Sequence, residues 1–410
     1  MRLLTDIRPL KESPDFRRLW VGSTVSQLGQ QMTAVTVAIQ VYALSHSTFA
    51  VGLVGLCSLV PLIVFGLYGG AMADAIDRRS LALVSSAVLW LLSMILVLQS
   101  QLEWGQVWIL YAVVAAQSAC GAVNGPARSA IIPRLIRPEL LPAANTLSQA
   151  AFNLGFTVGP LLGAAVIAWH GFAAAYLVDV ITFTAALYSL FRLPPVPPTG
   201  LVRRAGLRSV LEGFTFLRAA PALLATFLAD IFAMVFAQPR ALFPAVAGAF
   251  FGGGVRTVGL LQAAPAIGAL LGVVFSGWVS RVRRQGVAIV VAITVYAAAV
   301  GLFGLSRTIW LGVALLALSG AADMVSSAYR NTVLQSAAPD AMRGRLQGVF
   351  IVVVAGGPRL GDFVAGTTAS LTTPTIALLG GAAVCVTGLL ILLARNRPFR
   401  VYDSKTRALS

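Results

Sequence analysis

Four aspartates lie within long apolar stretches of the chain, where an ionised carboxylate is costly. They are Asp179, Asp230, Asp323 and Asp362. A charged aspartate at the centre of a bilayer costs roughly 3 kcal/mol on insertion scales, so such a residue is a functional candidate by default. The chemistry open to it is reversible proton binding, because burial favours the neutral form of a carboxyl group. We therefore take all four residues as candidate proton-binding sites.

Two of these carboxylates have an arginine at helical spacing. Arg359 precedes Asp362 by three residues, and Asp323 precedes Arg330 by seven. Residues at these separations share a helix face. The first spacing predicts a structural ion pair. The second leaves Asp323 open to a role in gating as well as in proton binding.

Membrane-spanning helices must position these residues. Only 11% of the 410 residues are charged, against about 25% in a soluble domain, and the mean hydropathy is +0.86. Apolar stretches of about 20 residues, the length of a helix that spans a bilayer, recur throughout. About twelve spans are predicted: 19–43, 48–73, 80–100, 106–128, 143–168, 172–192, 220–245, 255–280, 286–305, 309–330, 346–369 and 374–394.

The basic residues are distributed very unevenly between the two sides of the predicted membrane. Of the 30 lysines and arginines, 26 fall on the side that carries both termini. Such a bias marks the cytoplasmic side, so both termini are expected in the cytoplasm. The net charge of +16 is therefore explained by topology, and no nucleic-acid partner is predicted.

Other chemistry has little support in the sequence. The two histidines, His46 and His170, fall in short outer loops, and a metal site needs more ligands than these. The three cysteines lie within apolar stretches without paired spacing and are expected to be small buried side chains. No G-x-x-x-x-G-K-[ST] loop is present. We predict no enzyme activity, no metal and no cofactor.

The chain repeats itself weakly, with offsets of 198 to 207 residues between matching positions. The matches pair each span with the sixth span after it, which indicates a duplicated six-helix unit. Predicted domains are 1–191, a cytoplasmic linker at 192–218 with a short amphipathic helix, and 219–410. The recurring sets are Gly159-Pro160-x-x-Gly163 with Gly357-Pro358-x-x-Gly361, Arg128 with Arg330, Pro138-Glu139 with Pro339-Asp340, and Gly70-x-x-x-Asp74 with Gly277-x-x-x-Arg281.

Two parallel six-helix halves around a central site are the architecture of major facilitator transporters. "GGAMADAIDRR", 69–79, resembles the loop signature between spans two and three of that superfamily, and "GFTVGPLLG", 155–163, resembles the fifth-span signature of its proton antiporters. Segments such as "PAANTLSQAAFNLGFTVGP" resemble the enterobactin-exporter-like branch, which includes siderophore exporters and drug efflux pumps. The resemblance implies an all-α membrane protein with about 12 transmembrane helices in two pseudo-symmetric halves.

The resemblance also implies gating residues at the cytoplasmic ends of spans. Asp74 ends span two and is expected to act as a latch by capping span eleven through the helix dipole. The other gating candidates are basic residues, of which Arg78 and Arg79 are also explained as topology anchors. The basic candidates are Arg78, Arg79, Arg128 and Arg330.

Glycines at every fourth position give span five one smooth face, which permits close helix packing. Pro160 bends this span, and neighbouring groups can satisfy the carbonyl that it frees. In the family's fold, span five meets span eight across the interface between halves, so the stripe is expected to serve as a rocking joint. Plain helix packing is the alternative. The stripe is Gly155, Gly159 and Gly163, and its counterpart comprises Gly357, Pro358 and Gly361.

Spans one, four, seven and ten line the cavity in this fold, so the resemblance ranks Asp230 and Asp323 first as proton sites. Asp179 lies on a peripheral span, which favours a structural role for it. Gln30 stands where relatives often carry an acid, which removes one candidate proton site from the first half. The predicted cavity lining is otherwise apolar, and its candidates are Gln30, Met32, Phe227, Phe232, Met234 and Phe236.

These features together predict a proton-driven exporter of an amphipathic small molecule, either a drug or a siderophore, working by alternating access. It would lie in a bacterial cytoplasmic membrane as a multi-pass protein, and we expect a monomer. Its partners would be the substrate, protons and the lipid bilayer. An uncoupled facilitator or importer, and a non-transporting receptor of the same fold, are the alternatives.

Overall fold

The computed structural model describes a chain built from helices. Every regular element in the described part is helical, as expected for a chain that satisfies its backbone hydrogen bonds inside a bilayer. The predicted amphipathic helix of the linker falls almost wholly outside the described residues. The backbone is described for 6–197, 215–217, 220–337 and 340–403, and the side chains of 67–71, 73–75, 278, 280 and 335–352 are outside the description.

Fourteen α-helices occur in this described part. Short 3₁₀ or π turns lie between some of them, at Pro138–Leu140, Phe232–Phe236, Arg240–Leu242 and Ser276–Arg281. The helices are α1 Arg8–Glu12, α2 Pro14–Ser45, α3 Thr48–Ala75, α4 Arg78–Gln101, α5 Val107–Leu135, α6 Leu141–Phe191, α7 Pro221–Ile231, α8 Phe243–Phe251, α9 Val255–Val274, α10 Gln285–Phe303, α11 Ile309–Ala337, α12 Asp340–Leu371, α13 Pro374–Arg395 and α14 Arg397–Arg400.

Nine helical segments of the described residues are long and apolar enough to cross a membrane. One of them, 138–191, has 54 residues, or about 80 Å of helix at 1.5 Å per residue, which is enough for two crossings. It breaks at Gly171, whose φ is 77°, a conformation that glycine adopts without steric cost. The helices α2 and α12 have 32 residues each, long enough for the remaining predicted spans. The expected all-α membrane fold is confirmed.

The chain forms two compact units. The first comprises Met1–Leu44 and Cys57–Gly206, and the second comprises Ser45–Leu56 and Leu207–Ser410. The boundary therefore falls inside α3, whose first nine residues belong to the second unit. There Thr48 Oγ1 donates a 3.0 Å hydrogen bond to the carbonyl of Gly366 on α12.

Glycines allow α6 to pack closely on α2 inside the first unit. A Cβ placed on Gly159 would lie 2.6 Å from Gln31 Cβ, and one on Gly163 would lie 3.1 Å from the backbone of Met32. The second unit repeats this arrangement, because a Cβ on Gly361 would overlap the carbonyl oxygen of Met234. The matching glycine motifs thus pack α6 on α2 and α12 on the segment after α7.

The glycine face of the α6 stripe packs on α2, and its role as a joint between the halves stays a prediction. The atoms nearest to a Cβ on Gly155, Gly159 or Gly163 belong to α2, which is part of the same unit. All three glycines point at one backbone, which lies too close to admit a side chain. The stripe is a packing surface within the first unit, and Pro160 is buried beside it.

Candidate functional site

An ionic cluster lies within the second unit, where α7 meets α11. Arg330 of α11 forms an ion pair with Asp230 of α7, and its Nη2 donates a 3.2 Å hydrogen bond to Asp323 Oδ1. The spacing of Asp323 and Arg330 on one helix predicts their contact, but nothing in the sequence indicates that Arg330 also meets Asp230. Asp230 is therefore not the lone acid that its position in the sequence indicates.

The three members of this cluster differ in exposure. The side chains of Asp230 and Arg330 are 5% and 8% exposed, whereas that of Asp323 is 41% exposed. Two carboxylates share one guanidinium, so the cluster has one excess negative charge when all three groups are ionised. Because buried charges must be paired, Arg330 and Asp230 are held together, and Asp323 is the carboxylate with access to a proton or a cationic group.

Asp362 and Arg359 do not form the predicted ion pair. Asp362 Oδ1 accepts a 3.2 Å hydrogen bond from the backbone amide of Ala241, and the Arg359 guanidinium donates to the carbonyl of Ala355 one turn earlier on α12. The partner of Asp362 lies in the turn Arg240–Leu242, and the partner of Arg359 lies on α12 itself. Among the described residues, no ion-pair contact joins the two side chains.

Asp179 lies in the interior of the first unit, between α6, α4 and α2. It is 1% exposed, and its Oδ2 is 2.7 Å from Ser93 Oγ on α4. Its other oxygen, Oδ1, makes no hydrogen bond, although the Thr33 hydroxyl of α2 lies near it. Asp179 is thus the most secluded of the four candidate carboxylates.

Arg128 occupies in the first unit the position that Arg330 occupies in the second. Its guanidinium donates to Ser23, Ser26 and Ser86 at 3.0–3.2 Å, and Asn124 also bonds Ser86. Arg330 is paired with Asp230 on α7, whereas Arg128 donates a hydrogen bond to Ser26 on α2. The arginine is therefore present in both halves of the repeat, and the acid is present in only one.

The loop between α3 and α4 is tied to the chain that follows α6. Asp77 caps α4 by accepting from the Ser80 amide, and its second oxygen accepts from the Val196 amide, both at 2.7 Å. Burial alone would raise the pKa of Asp77, but these amides and nearby Arg79 outweigh it and lower the pKa. The side chain of Asp74 lies outside the described residues, so its latch role stays a prediction.

Arg78 and Arg79 bond backbone carbonyls of the first unit. Arg78 donates to Ala130 at 3.3 Å, and Arg79 donates to Leu190 and Phe191 at the end of α6 at 3.2 and 2.7 Å. Cations at the C-terminal end of a helix also offset its dipole. These contacts show a structural use for both arginines, and their gating role stays a prediction.

Three of the six predicted cavity residues are packing residues in this structure. Met32 is 2% exposed and lies against Gly163. Phe232 packs on Gly388 of α13, and Phe236 stacks near Phe232 with ring centroids 6.0 Å apart. Phe227 instead lines the small cavity beside Asp230 and Arg330. Gln30 is partly buried and stays a prediction, as does Met234.

Sequence reasoning missed a line of buried polar groups in the first unit, which we call the polar seam. On α2 it consists of Ser26, Thr33 and Gln40, spaced seven residues apart, and all are less than 10% exposed. Gln40 Oε1 accepts from Tyr176 Oη at 2.6 Å and from Gln99 Nε2 at 3.0 Å. The seven-residue spacing was a readable signal, because it places the three side chains on one helix face.

Known proteins resemble this chain over almost its whole length. It is 28% identical over 400 residues to the enterobactin exporter EntS of Citrobacter koseri, covering 97% of this chain and 96% of that relative. It is 29% identical to the enterobactin exporter EntS of Shigella boydii, covering 95% and 94%. The structure of a POT family transporter shares its fold with a TM-score of 0.76 at 12% identity, covering 94% of this chain and 97% of that one.

A profile of the transmembrane secretion effector family matches residues 5–408. The match includes both units and every candidate residue described above. Together with the all-helical fold, it confirms that the chain is a multi-pass membrane transporter of the exporter type and not an enzyme. The chain belongs to the transmembrane secretion effector family of the major facilitator superfamily.

Proposed function

We propose that this exporter is driven by protons and moves an amphipathic small molecule, a siderophore or a drug, out of the cytoplasm by alternating access. The observation that carries the proposal is the cluster of Asp230, Arg330 and Asp323, which has one more carboxylate than cation. The sequence has no G-x-x-x-x-G-K-[ST] loop for ATP hydrolysis of the P-loop kind, which favours an ion gradient as the driving force for uphill export.

Asp323 is the residue we assign to proton exchange in this cluster. Its side chain is 41% exposed while Asp230 is 5% exposed, so a proton from water reaches Asp323 first. Protonation would leave Arg330 paired with Asp230 alone and bring the cluster to neutrality. A neutral cluster is more stable when a conformational change withdraws it from water, because desolvation penalises net charge.

The substrate class rests on the relatives. Two relatives that match nearly the full length of this chain are named enterobactin exporters, which favours a siderophore over other amphipathic molecules. At 28–29% identity the substrate itself can differ, and drugs are the alternative class. The uneven distribution of basic residues supports cytoplasmic termini, so export would run from the side that carries both termini.

The test is transport in proteoliposomes, with enterobactin and a fluorescent efflux dye as the two substrates. An imposed pH gradient should drive accumulation against the substrate gradient, and a proton uncoupler should abolish it. Asp323→Asn should lose this uphill transport and retain downhill exchange. Glu103→Gln, which neutralises an exposed loop acid, is the matched control and should behave as the wild type. Uphill transport by Asp323→Asn would contradict the assignment of proton exchange to Asp323. Wild-type flux that is insensitive to the uncoupler would indicate a facilitator.

A further inference from the structure

Asp179 has an environment that suits a neutral carboxyl group. Each element packed around it contributes only uncharged groups: Gly29 and Thr33 from α2, Ser93 from α4, and Thr182 from its own helix. Among the described residues, no basic side chain pairs with it. This contrasts with Asp230, which is also buried but is paired with Arg330.

The number of hydrogens available around Asp179 also favours a neutral carboxyl group. Ser93 Oγ lies 2.7 Å from Asp179 Oδ2 and 3.1 Å from the carbonyl oxygen of Leu89, yet a serine hydroxyl carries only one hydrogen. A hydrogen on Asp179 Oδ2 would supply the second one. Asp179 would then donate to Ser93, and Ser93 would donate to the Leu89 carbonyl, so that both short contacts become hydrogen bonds.

The remaining oxygen fits the same arrangement. Asp179 Oδ1 and Thr33 Oγ1 are both buried and neither has a hydrogen-bond partner. In a neutral carboxyl group Oδ1 is a carbonyl oxygen, and a small movement of α2 would let the Thr33 hydroxyl donate to it. An ionised carboxylate would instead hold a full negative charge in the interior with one hydrogen-bond donor and no cation, which desolvation disfavours.

We propose that Asp179 binds a proton in the conformation described here and is a second proton-binding site of the transporter, inside the first unit. Its use in transport rests on the proton-driven function proposed above. The proton is taken from water and bonds to Oδ2 without any other bond breaking. It leaves when α2 or α4 moves enough to admit water to the carboxyl group.

The polar seam offers hydrogen-bond partners to water molecules that would reach the Asp179 carboxyl group. On one side of Asp179 lie Ser26 and Ser86, which bond Arg128, and on the other lie Gln40, Gln99 and Tyr176. Buried waters require two to four polar partners, and the seam offers such groups about every two turns of α2. An apolar helix interface of the same size would offer none.

Infrared spectroscopy of the protein in liposomes tests whether the proton is there. The carbonyl stretching band of a neutral, buried carboxylic acid should be present at neutral pH in the wild type and in Glu103→Gln. The same band should be absent from Asp179→Asn and shifted but retained in Thr33→Val. A spectrum unchanged by Asp179→Asn would overturn the proposal, because Asp179 would then be ionised.

Transport by Asp179→Asn tests whether the proton on Asp179 is coupled to uphill transport. Asparagine has the size of a neutral aspartate, so this variant should fold, as judged by an unchanged elution volume and melting temperature. It should lose uphill transport under a pH gradient and keep downhill exchange. Full uphill transport by the variant would overturn the coupling role of Asp179 and leave the proton-driven function standing. A wild type without pH-driven transport would overturn that function, while the infrared result would still decide whether Asp179 holds a proton.

Discussion

Arg330 on α11 is paired with Asp230 on α7, although a hundred residues separate them in the chain. The same guanidinium reaches Asp323 two turns earlier on its own helix. One cation thus joins two helices of the second unit and leaves a single carboxylate partly open to solvent. This shared use predicts that the two aspartates respond differently to substitution.

Asp230→Ala should destabilise the protein much more than Asp323→Ala. Removing one partner of a buried ion pair costs up to about 3–5 kcal/mol, and Arg330 would then be left with the partly solvated Asp323 as its one remaining carboxylate contact among the described residues. Asp323 is 41% exposed, and a partly solvated pair contributes about 1 kcal/mol or less. Thermal unfolding of both variants in the same detergent measures the difference. Equal losses of stability would mean that Arg330 does not distinguish the two carboxylates.

Gly159→Ala should destabilise the first unit, and Gly125→Ala should be neutral. A Cβ on Gly159 would lie 2.6 Å from Gln31 Cβ and 3.2 Å from the Leu28 carbonyl oxygen, whereas one on Gly125 would meet no atom within 4 Å. Forcing apart a close-packed contact costs about 1–3 kcal/mol. Gly159→Leu should therefore reduce the amount of folded protein, and not only transport. Normal yield and melting temperature of the leucine variant would show that α2 and α6 separate easily.

Asp77→Ala should destabilise the loop between α3 and α4 by about 1 kcal/mol, the usual value of a helix N-cap. Asp77→Asn can still accept from Ser80 but cannot accept from Val196 with its amide nitrogen, so an intermediate loss is expected. Thermal unfolding at neutral pH measures both variants. A wild-type melting temperature in Asp77→Ala would show that the two 2.7 Å bonds add nothing to stability.

The contribution of Asp77 should also depend on pH. Its pKa is lowered in the folded protein, so the stabilisation is fully present above about pH 4, the ordinary pKa of an unfolded aspartate. It is lost as the pH falls through the lowered folded pKa, because the protonated form then dominates in both states. The difference in melting temperature between the wild type and Asp77→Ala should shrink over that acidic range. A difference that stays constant there would mean that the charge of Asp77 is not what stabilises the loop.

Cysteines at two positions should be labelled from outside the cell, and cysteines at two others should not. In a background without native cysteines, an impermeant thiol reagent should reach Ser47→Cys and Thr373→Cys. It should not reach Ser80→Cys or Ala205→Cys, because basic residues are concentrated on the side of those loops. External labelling at Ala205→Cys would reverse the predicted orientation.

The helices and the contact of Asp323 with Arg330 could be predicted from the sequence, because both depend on local spacing. Apolar length determines which segments can cross a bilayer, and residues seven apart share a helix face. The pairing of Asp230 with Arg330 could not be predicted this way, since it depends on how two distant helices are rotated about their axes.

The same limit explains why other side-chain contacts could not be predicted. The sequence shows a glycine stripe on α6 but does not show which neighbour it faces, and that neighbour is α2. Spacing places Arg359 and Asp362 on one face, yet nearby backbone groups satisfy both side chains instead. The place of Asp179 on a peripheral span does not indicate its surroundings, because Ser93 and Thr33 belong to two other helices.

The polar seam also has a consequence for how the protein enters the membrane. The helix α2 carries Ser26, Thr33 and Gln40 and is not among the nine described segments that are apolar enough to span a bilayer independently. Ser26 has its partner Arg128 on α5, and Gln40 has partners on α4 and α6, which the ribosome synthesises later. We therefore expect the first span to remain at the translocon until residues up to Phe191 have emerged. In a nascent chain arrested before α6, α2 should be only weakly inserted in the lipid.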